Sequence, residues 1–264
     1  MPVTPFQDRV CRLLASNRAP DSYLAGGTAL HAAPNSRRFS NDVDYFHDSI
    51  ARVAEAFAAD RALLESHGYA VTVEVQQPGH IRARVAAGGD DTRLEWAHDS
   101  SWRFLPVLRD EVVGFVLHPI DLALNKVLAL AGRDEPRDLL DVIDAHDRIL
   151  PLGALVWAAA GKDPGFSPTS LLELLKRRGT HRPEDFARLR LTQPVDLVAL
   201  KQAWRAALDE AEQFIASRPA SETGCLYYAP SQATFVMPGE GVPSDAMPHY
   251  GRPGGIWPQP ARAG

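Results

Sequence analysis

Residues 38–46, Arg38-Phe39-Ser40-Asn41-Asp42-Val43-Asp44-Tyr45-Phe46, carry the pattern that decides the reading of this chain. Asp42 to Phe46 reads as a short strand. Alternate strand residues share a face, so Asp42 and Asp44 project together while Val43 and Tyr45 point the other way. At about 4 Å and an effective dielectric of about 20, two like charges repel by roughly 4 kcal/mol, so the pair is costly unless a cation lies between them. Mg²⁺, with Mn²⁺ as a substitute, takes one or two carboxylates plus substrate phosphates, which such a strand can offer. Taken alone, an Asp-x-Asp pair fits a solvated strand end at least as well.

Upstream, Tyr23-Leu24-Ala25 leads into Gly26-Gly27-Thr28-Ala29-Leu30-His31, an apolar start that breaks at two glycines and resumes as good helix formers. Paired glycines let a backbone approach phosphate oxygens, and a helix amino terminus favours negative charge. A plain tight turn is the competing account. Arg37, Arg38 and Ser40 place cations and a hydroxyl just before the strand, where they could touch phosphate or ribose; solvated arginines are the alternative.

Downstream, Asp48 to His67 reads as a helix, and Ala70 to Gln76, His80 to Ala86 and Thr92 to Ala97 as three strands joined by hairpins at Gln77-Pro78-Gly79 and Ala87-Gly88-Gly89-Asp90. Pro5 to Ala15 forms a short amphipathic opening helix. In the third of these strands Leu94 and Trp96 face the core, which turns Glu95 to the other side as a candidate third carboxylate or a solvated one. After a weak strand at Val112 to Leu117 the pattern becomes helical from Pro119 almost to Ser217, broken at Gly132 to Pro136, Gly161 to Pro168 and Gly179 to Pro183. From Arg218 onward, eight prolines and seven glycines in 47 residues predict an irregular segment. Leu226, Tyr227, Tyr228, Phe235, Val236 and Trp257 dock it on the body, starting with a strand at Cys225 to Ala229. The expected class is α+β: a small mixed or antiparallel sheet with helices over 1–118, a helical part over 119–217, and an extended tail over 218–264.

Composition bounds the function. With 264 residues, 45% hydrophobic and 23% charged, the chain can bury a sizeable core. Its apolar runs fall short of the roughly 18 to 20 residues of a membrane span, and Met1 to Arg12 carries no compact apolar leader, so the expectation is cytoplasmic, with no membrane partner. A net charge of −5 argues against coating nucleic acid with the whole surface, leaving a local grip such as Lys176, Arg177, Arg178, Arg182, Arg188 and Arg190. Cys11 and Cys225 have no zinc-site spacing.

Only four of the 28 basic residues are lysines, and Lys126 sits in the apolar stretch Leu122 to Leu130, where burying it is expensive unless it meets an anion. Asp134, Asp138 and Asp141 follow at i, i+4 and i+7, an acidic stripe suited to Lys126, Arg133 or Arg137. A structural ion-pair network between two helices accounts for most of these charges on spacing alone.

Leu24 to Leu30, then Arg38 to Asp44, then the Lys126 to Asp141 series, in this order and separation, resemble the AbiEii/AbiGii-type nucleotidyltransferase toxins, which include the MenT-like enzymes. The resemblance covers roughly residues 22–46 and 119–142. It implies a DNA polymerase β-like nucleotidyltransferase core with a helical carboxy-terminal part. It also implies Asp42 and Asp44 as metal ligands, Gly26, Gly27 and Thr28 as the phosphate turn, and Lys126 with Asp138 or Asp141 as further active-site groups. Relatives are toxins neutralised by a cognate antitoxin, and some add nucleotides to the 3′ end of tRNA. Arg37-Arg38 stands where relatives often carry His-Arg, and the end after Arg218 has no counterpart. The reaction this implies moves a nucleoside monophosphate from a nucleoside triphosphate to a hydroxyl; Glu95, on the strand reading above, is the expected third ligand of the metal shell. Small-molecule or protein hydroxyls remain alternative acceptors, and a catalytically silent nucleotide-binding protein is the rival from another class.

Overall fold

The computed structural model describes residues 3–31, 37–239 and 241–258. The chain forms two compact units. The first comprises Met1–His118 with Arg190–Gln193 and Pro253–Gly255, and the second the remainder.

The first unit opens with α1 (Pro5–Leu14), whose amino terminus is closed by a capping box between Thr4 and Gln7. Strand β1 (Ser22–Ala25) runs into the short α2 (Gly26–Leu30), and β2 (Asp42–His47) leads to α3 (Ile50–Ser66), capped by Ser49. Three strands follow, β3 (Ala70–Gln77), β4 (His80–Ala87) and β5 (Asp90–His98), turned by Gly79, Gly88 and Gly89 with positive φ. Then come β6 (Trp102–Arg103), β7 (Leu108–Asp110) and β8 (Gly114–Val116). The main sheet has the order β3-β4-β5-β2-β1-β8-β7. Within it β2 runs parallel to β5 and antiparallel to β1, while β3, β4 and β5 form an antiparallel meander. The expected mixed sheet is therefore present, and each expected strand lies within a residue or two of its observed limits.

Alternation sorts the two faces of this sheet. Val43, Tyr45, Leu94 and Trp96 are buried together with Phe57 and Leu64 of α3, and the Trp96 and Phe57 rings meet edge to face at 5.1 Å. Asp42, Asp44, Arg93 and Glu95 lie on the opposite, half-open face.

The second unit carries α4 (Pro119–Arg133), α5 (Pro136–Arg148), α6 (Leu152–Lys162), α7 (Pro168–Leu175), α8 (Pro183–Phe186) and α9 (Leu197–Ser217). Leu152 to Ala160 of α6 are buried all round, so the apolar run at Leu150 to Ala160 is the central helix of this unit. Among the described residues no helix is long and apolar enough to cross a membrane. The three expected breaks are present, and two more were not foreseen. Leu150-Pro151 separates α5 from α6, and residues 187–196 are not helical. Asp134 is not part of the expected stripe on α5, because it occupies a left-handed turn with φ 49° between α4 and α5.

The carboxy-terminal segment is more regular than its composition suggests. Cys225–Ala229 forms β9, the central strand of a small antiparallel sheet between β10 (Thr234–Val236) and β11 (Met247–Tyr250). Trp157, Phe214, Cys225 and Tyr227 form one buried cluster joining this sheet to α6 and α9.

Candidate active site

Three sequence-separated segments of the first unit converge at the amino-terminal end of β2. The pairing of β1 with β2 sets Ala25 opposite Asp44, which brings the glycine turn onto the aspartate strand. A Cβ built on Gly26 would lie 1.8 Å from Asp44 Oδ2, and Gly26 has φ +62°, so both space and conformation demand glycine here. A Cβ on Gly27 would meet Arg38 Nη2 at 2.9 Å and Ser40 Oγ at 3.1 Å. Gly26, Gly27, Arg38, Ser40 and Asp44 therefore surround one small volume.

Buried hydroxyls fix the strand end. The hydroxyls of Thr28 and Ser40 both donate to the Asp42 carbonyl, at 2.5 and 2.9 Å. From α1, Gln7 Nε2 donates to the carbonyls of Ser40 and Asn41 and to Thr92 Oγ1, all at 3.2–3.3 Å. Arg38 is buried, and its segment is anchored by residues 150 positions away. Phe39 N–H donates to the Arg190 carbonyl at 2.8 Å, Thr192 N–H to the Arg37 carbonyl at 2.9 Å, and Arg190 stacks on the Phe39 ring at 5.7 Å. Arg190 thus belongs to the first unit and leaves the basic cluster in which its sequence position placed it.

The parallel pairing of β2 with β5 sets Asp44 beside Glu95 and Asp42 beside Arg93, all on the half-open face. Glu95 is engaged by the neighbouring strand. Arg82 Nε donates to one of its oxygens at 2.7 Å, and His80 Nε2 lies 3.5 Å from the other. Arg93 lies 3.8 Å from Asp42 and donates to Glu74 at 3.0 Å. Among the described residues no three His, Cys, Asp or Glu side chains are grouped to hold a metal ion. On β2 itself, Asp42 and Asp44 are the two carboxylates turned to this face. A pair of hard oxygen donors open on one side suits Mg²⁺, which completes its shell with water and phosphate oxygens.

In the second unit Lys126, Asp138 and Asp141 meet one another. Lys126 Nζ lies 2.8 Å from Asp141 and 3.6 Å from Asp138, and Arg133 makes a bidentate pair with Asp138 at 2.6 and 2.8 Å. Asp134, off the helix, accepts from Gly179 N–H at 3.1 Å. Of the arginines and lysine expected to grip a polynucleotide, Lys176 is paired with Glu173 and Glu212, and Arg178 donates to the Ala131 carbonyl. Arg177, Arg182 and Arg188 are exposed.

On the buried face of β2, desolvation sets the ionisation. It lowers His47 to about 3 and raises the Tyr45 phenol well above its ordinary range, and beside them it lifts the Cys11 thiol to about 11. These groups are neutral at pH 7.

A family model described as the nucleotidyl transferase AbiEii toxin of type IV toxin–antitoxin systems matches residues 10–224. Among solved structures, the chain is similar to MenT4, a nucleotidyltransferase toxin of Mycobacterium tuberculosis, with a TM-score of 0.52 and 20% identity over 82% of this chain and 83% of that one. It is also similar to JHP933 of Helicobacter pylori, with a TM-score of 0.50 and 16% identity over 80% of this chain and 91% of that one. At these identities the likeness is one of fold, and it covers the α+β architecture described above. A comparison with curated proteins returns no match.

Proposed function

The chain belongs to the AbiEii nucleotidyl transferase toxin family and is a nucleotidyltransferase, and from that premise we propose that Asp42 and Asp44 hold the Mg²⁺ of a nucleoside-triphosphate site. The observation that carries the reading is the close seating of Asp44 on Gly26, with Arg38 and Ser40 against Gly27. A glycine pair with a buried cation and hydroxyl beside two carboxylates answers both halves of a metal triphosphate, its phosphate oxygens and its cation. A bound divalent ion would orient the triphosphate and stabilise charge on the leaving pyrophosphate. The chain's own residues do the rest. Gly26 and Gly27 bring backbone close to phosphate, Arg38 supplies positive charge, and Thr28 and Ser40 hold the Asp42 main chain in place. Glu95 lies on the same face, where Arg82 engages one of its oxygens, and is the candidate third carboxylate of the set. Lys126 with Asp138 and Asp141 is a second candidate group, for which a structural ion-pair network is the competing account.

For the acceptor we propose the 3′ end of an RNA, tRNA first, with Arg177, Arg182 and Arg188 as backbone contacts. A cognate antitoxin is the proposed protein partner, and the cytoplasm the proposed compartment. Incubating the protein with Mg²⁺, each labelled triphosphate and, in parallel, total RNA, protein and small hydroxyl compounds separates the acceptor classes. Asp44→Asn is expected to abolish label transfer while leaving the fold intact. Full activity in that variant removes Asp44 from the metal site.

A further inference from the structure

Behind the carboxylates, on the buried face of the same two strands, lies a polar network that the proposed chemistry does not use. Asp60 of α3 is fully buried and accepts from Trp96 Nε1 at 2.7 Å and from Asn17 Nδ2 at 2.9 Å. Both of its oxygens also receive Arg18 Nη2, and neither side chain of this ion pair is exposed. The Arg18 guanidinium lies over the Tyr45 ring, 4.2 Å from its centroid, and its Nη1 has no hydrogen-bond partner. Tyr45 and Trp96 are paired across β2 and β5, one residue beyond the paired Asp44 and Glu95.

A buried ion pair is seldom more stabilising than apolar residues of the same volume, and an unpaired N–H makes this one less so. What the network does supply is direction. Asp60 ties β5, through Trp96, to Asn17 and Arg18, and Arg18 in turn holds the Tyr45 ring of β2 in one plane. Successive residues of a strand are coupled through the pleat, so fixing Tyr45 and Trp96 on one face fixes the outward angle of Asp44 and Glu95 on the other. We propose that Arg18 and Asp60 are positioning residues for nucleotidyl transfer, holding β2 and β5 in the pleat and register that present their carboxylates on one face. The inference rests on the reading of Asp42 and Asp44 as metal ligands.

The test compares the parent with a paired variant, Arg18→Met with Asp60→Leu, and with Trp96→Phe, which keeps an aromatic ring of smaller volume but removes one bond to Asp60. Asp44→Asn serves as the reference. Three quantities are measured: Tm, the Mn²⁺ dissociation constant from the free-ion electron paramagnetic resonance signal, and the rate of label transfer per folded molecule. The paired variant leaves Trp96 Nε1 and Asn17 Nδ2 without their acceptor, so its Tm is expected to fall by several degrees while it stays folded, and it is expected to bind Mn²⁺ roughly 10-fold more weakly and to transfer label about 100-fold more slowly. Trp96→Phe shifts both functional quantities in the same direction by less. Parent-like Mn²⁺ affinity and rate in a folded paired variant overturn the proposal, as they do in Trp96→Phe if the paired variant does not fold. If Asp44→Asn binds Mn²⁺ like the parent, the metal reading falls instead, and the transfer rates alone judge the positioning role.

Discussion

Gly26→Ala probes the seating of Asp44 on the glycine turn directly. The added Cβ would stand 1.8 Å from Asp44 Oδ2, 2.5 Å from Cγ and 2.8 Å from Cβ, on a backbone with φ +62°. The left-handed conformation alone costs an alanine about 1–2 kcal/mol. At about 2–4 °C per kcal/mol for a chain of this size, that lowers Tm by about 2–8 °C. Restoring ordinary contact, taken as about 3.4 Å, moves the Asp44 carboxylate by about 1.6 Å. A misplacement of about 1 Å at a reacting centre costs on the order of 100-fold in rate, so label transfer should fall by at least that factor. The two contributions separate in an Asp44→Ala background, where Oδ2 and Cγ are gone and only the Cβ contact remains. There the stability cost of Gly26→Ala should shrink toward the backbone cost alone, a coupling that a double-mutant cycle on Tm and urea midpoints reads out. A Gly26→Ala protein with the parent's rate and Tm, or an equal stability cost in both backgrounds, would refute the seating of Asp44 on Gly26.

Two further outcomes follow from the burial of titratable groups. Lys126→Met leaves Asp138 and Asp141 without their shared cation, and breaking such a pair costs roughly 3–5 kcal/mol, visible as a lowered urea midpoint that a second change, Asp141→Leu, partly restores. His47 titrates near 3 in the folded chain against 6.5 when unfolded, so the unfolded state binds more protons between these values. Stability should be full above about pH 6.5 and decline toward pH 3 by up to about 1.4 kcal/mol per pH unit. Burial also lowers His118, to about 4, and adds to the same limb. His47→Gln should flatten the decline in a pH series of urea titrations, and an unchanged slope would contradict the buried neutral imidazole.

Much of the first unit was legible because its elements obey a single period. Val43 and Tyr45, Ile81 and Val85, and Leu94 and Trp96 alternate cleanly, so strand limits and the outward turn of Asp42 with Asp44, and of Glu95 in its own strand, follow from residue types alone, whereas the pairing of β2 with β5 that puts them on one face does not. The capture of Glu95 by Arg82 was not read. It depends on the β4–β5 register, which sets Arg82 opposite Glu95, and a register is a property of two strands and their turn. The return of Arg190 to Gln193 onto Arg37 to Phe39 was beyond reach for a different reason. It joins positions about 150 residues apart, mainly through backbone hydrogen bonds, which carry no residue-type pattern to read. In the second unit, Asp134 kept the helical spacing of Asp138 and Asp141 while its backbone turned left-handed, because a four-residue interval says nothing of where a helix begins. Proline and glycine density hid the three-stranded sheet around β9, whose apolar residues were visible but whose partners were not.

The strict division of β2, with Asp42 and Asp44 outward and Val43 and Tyr45 inward, has a consequence for how this gene can be silenced. A one-codon insertion between Val43 and Asp44 would put Asp42 and Tyr45 on the same face of an unbroken strand. Unless a bulge takes up the extra residue, the strand then buries a carboxylate or expels an aromatic ring from the core. Such a lesion removes neither aspartate. The three-residue step from Asp42 to Tyr45 is therefore as much a requirement of this strand as the two carboxylates themselves.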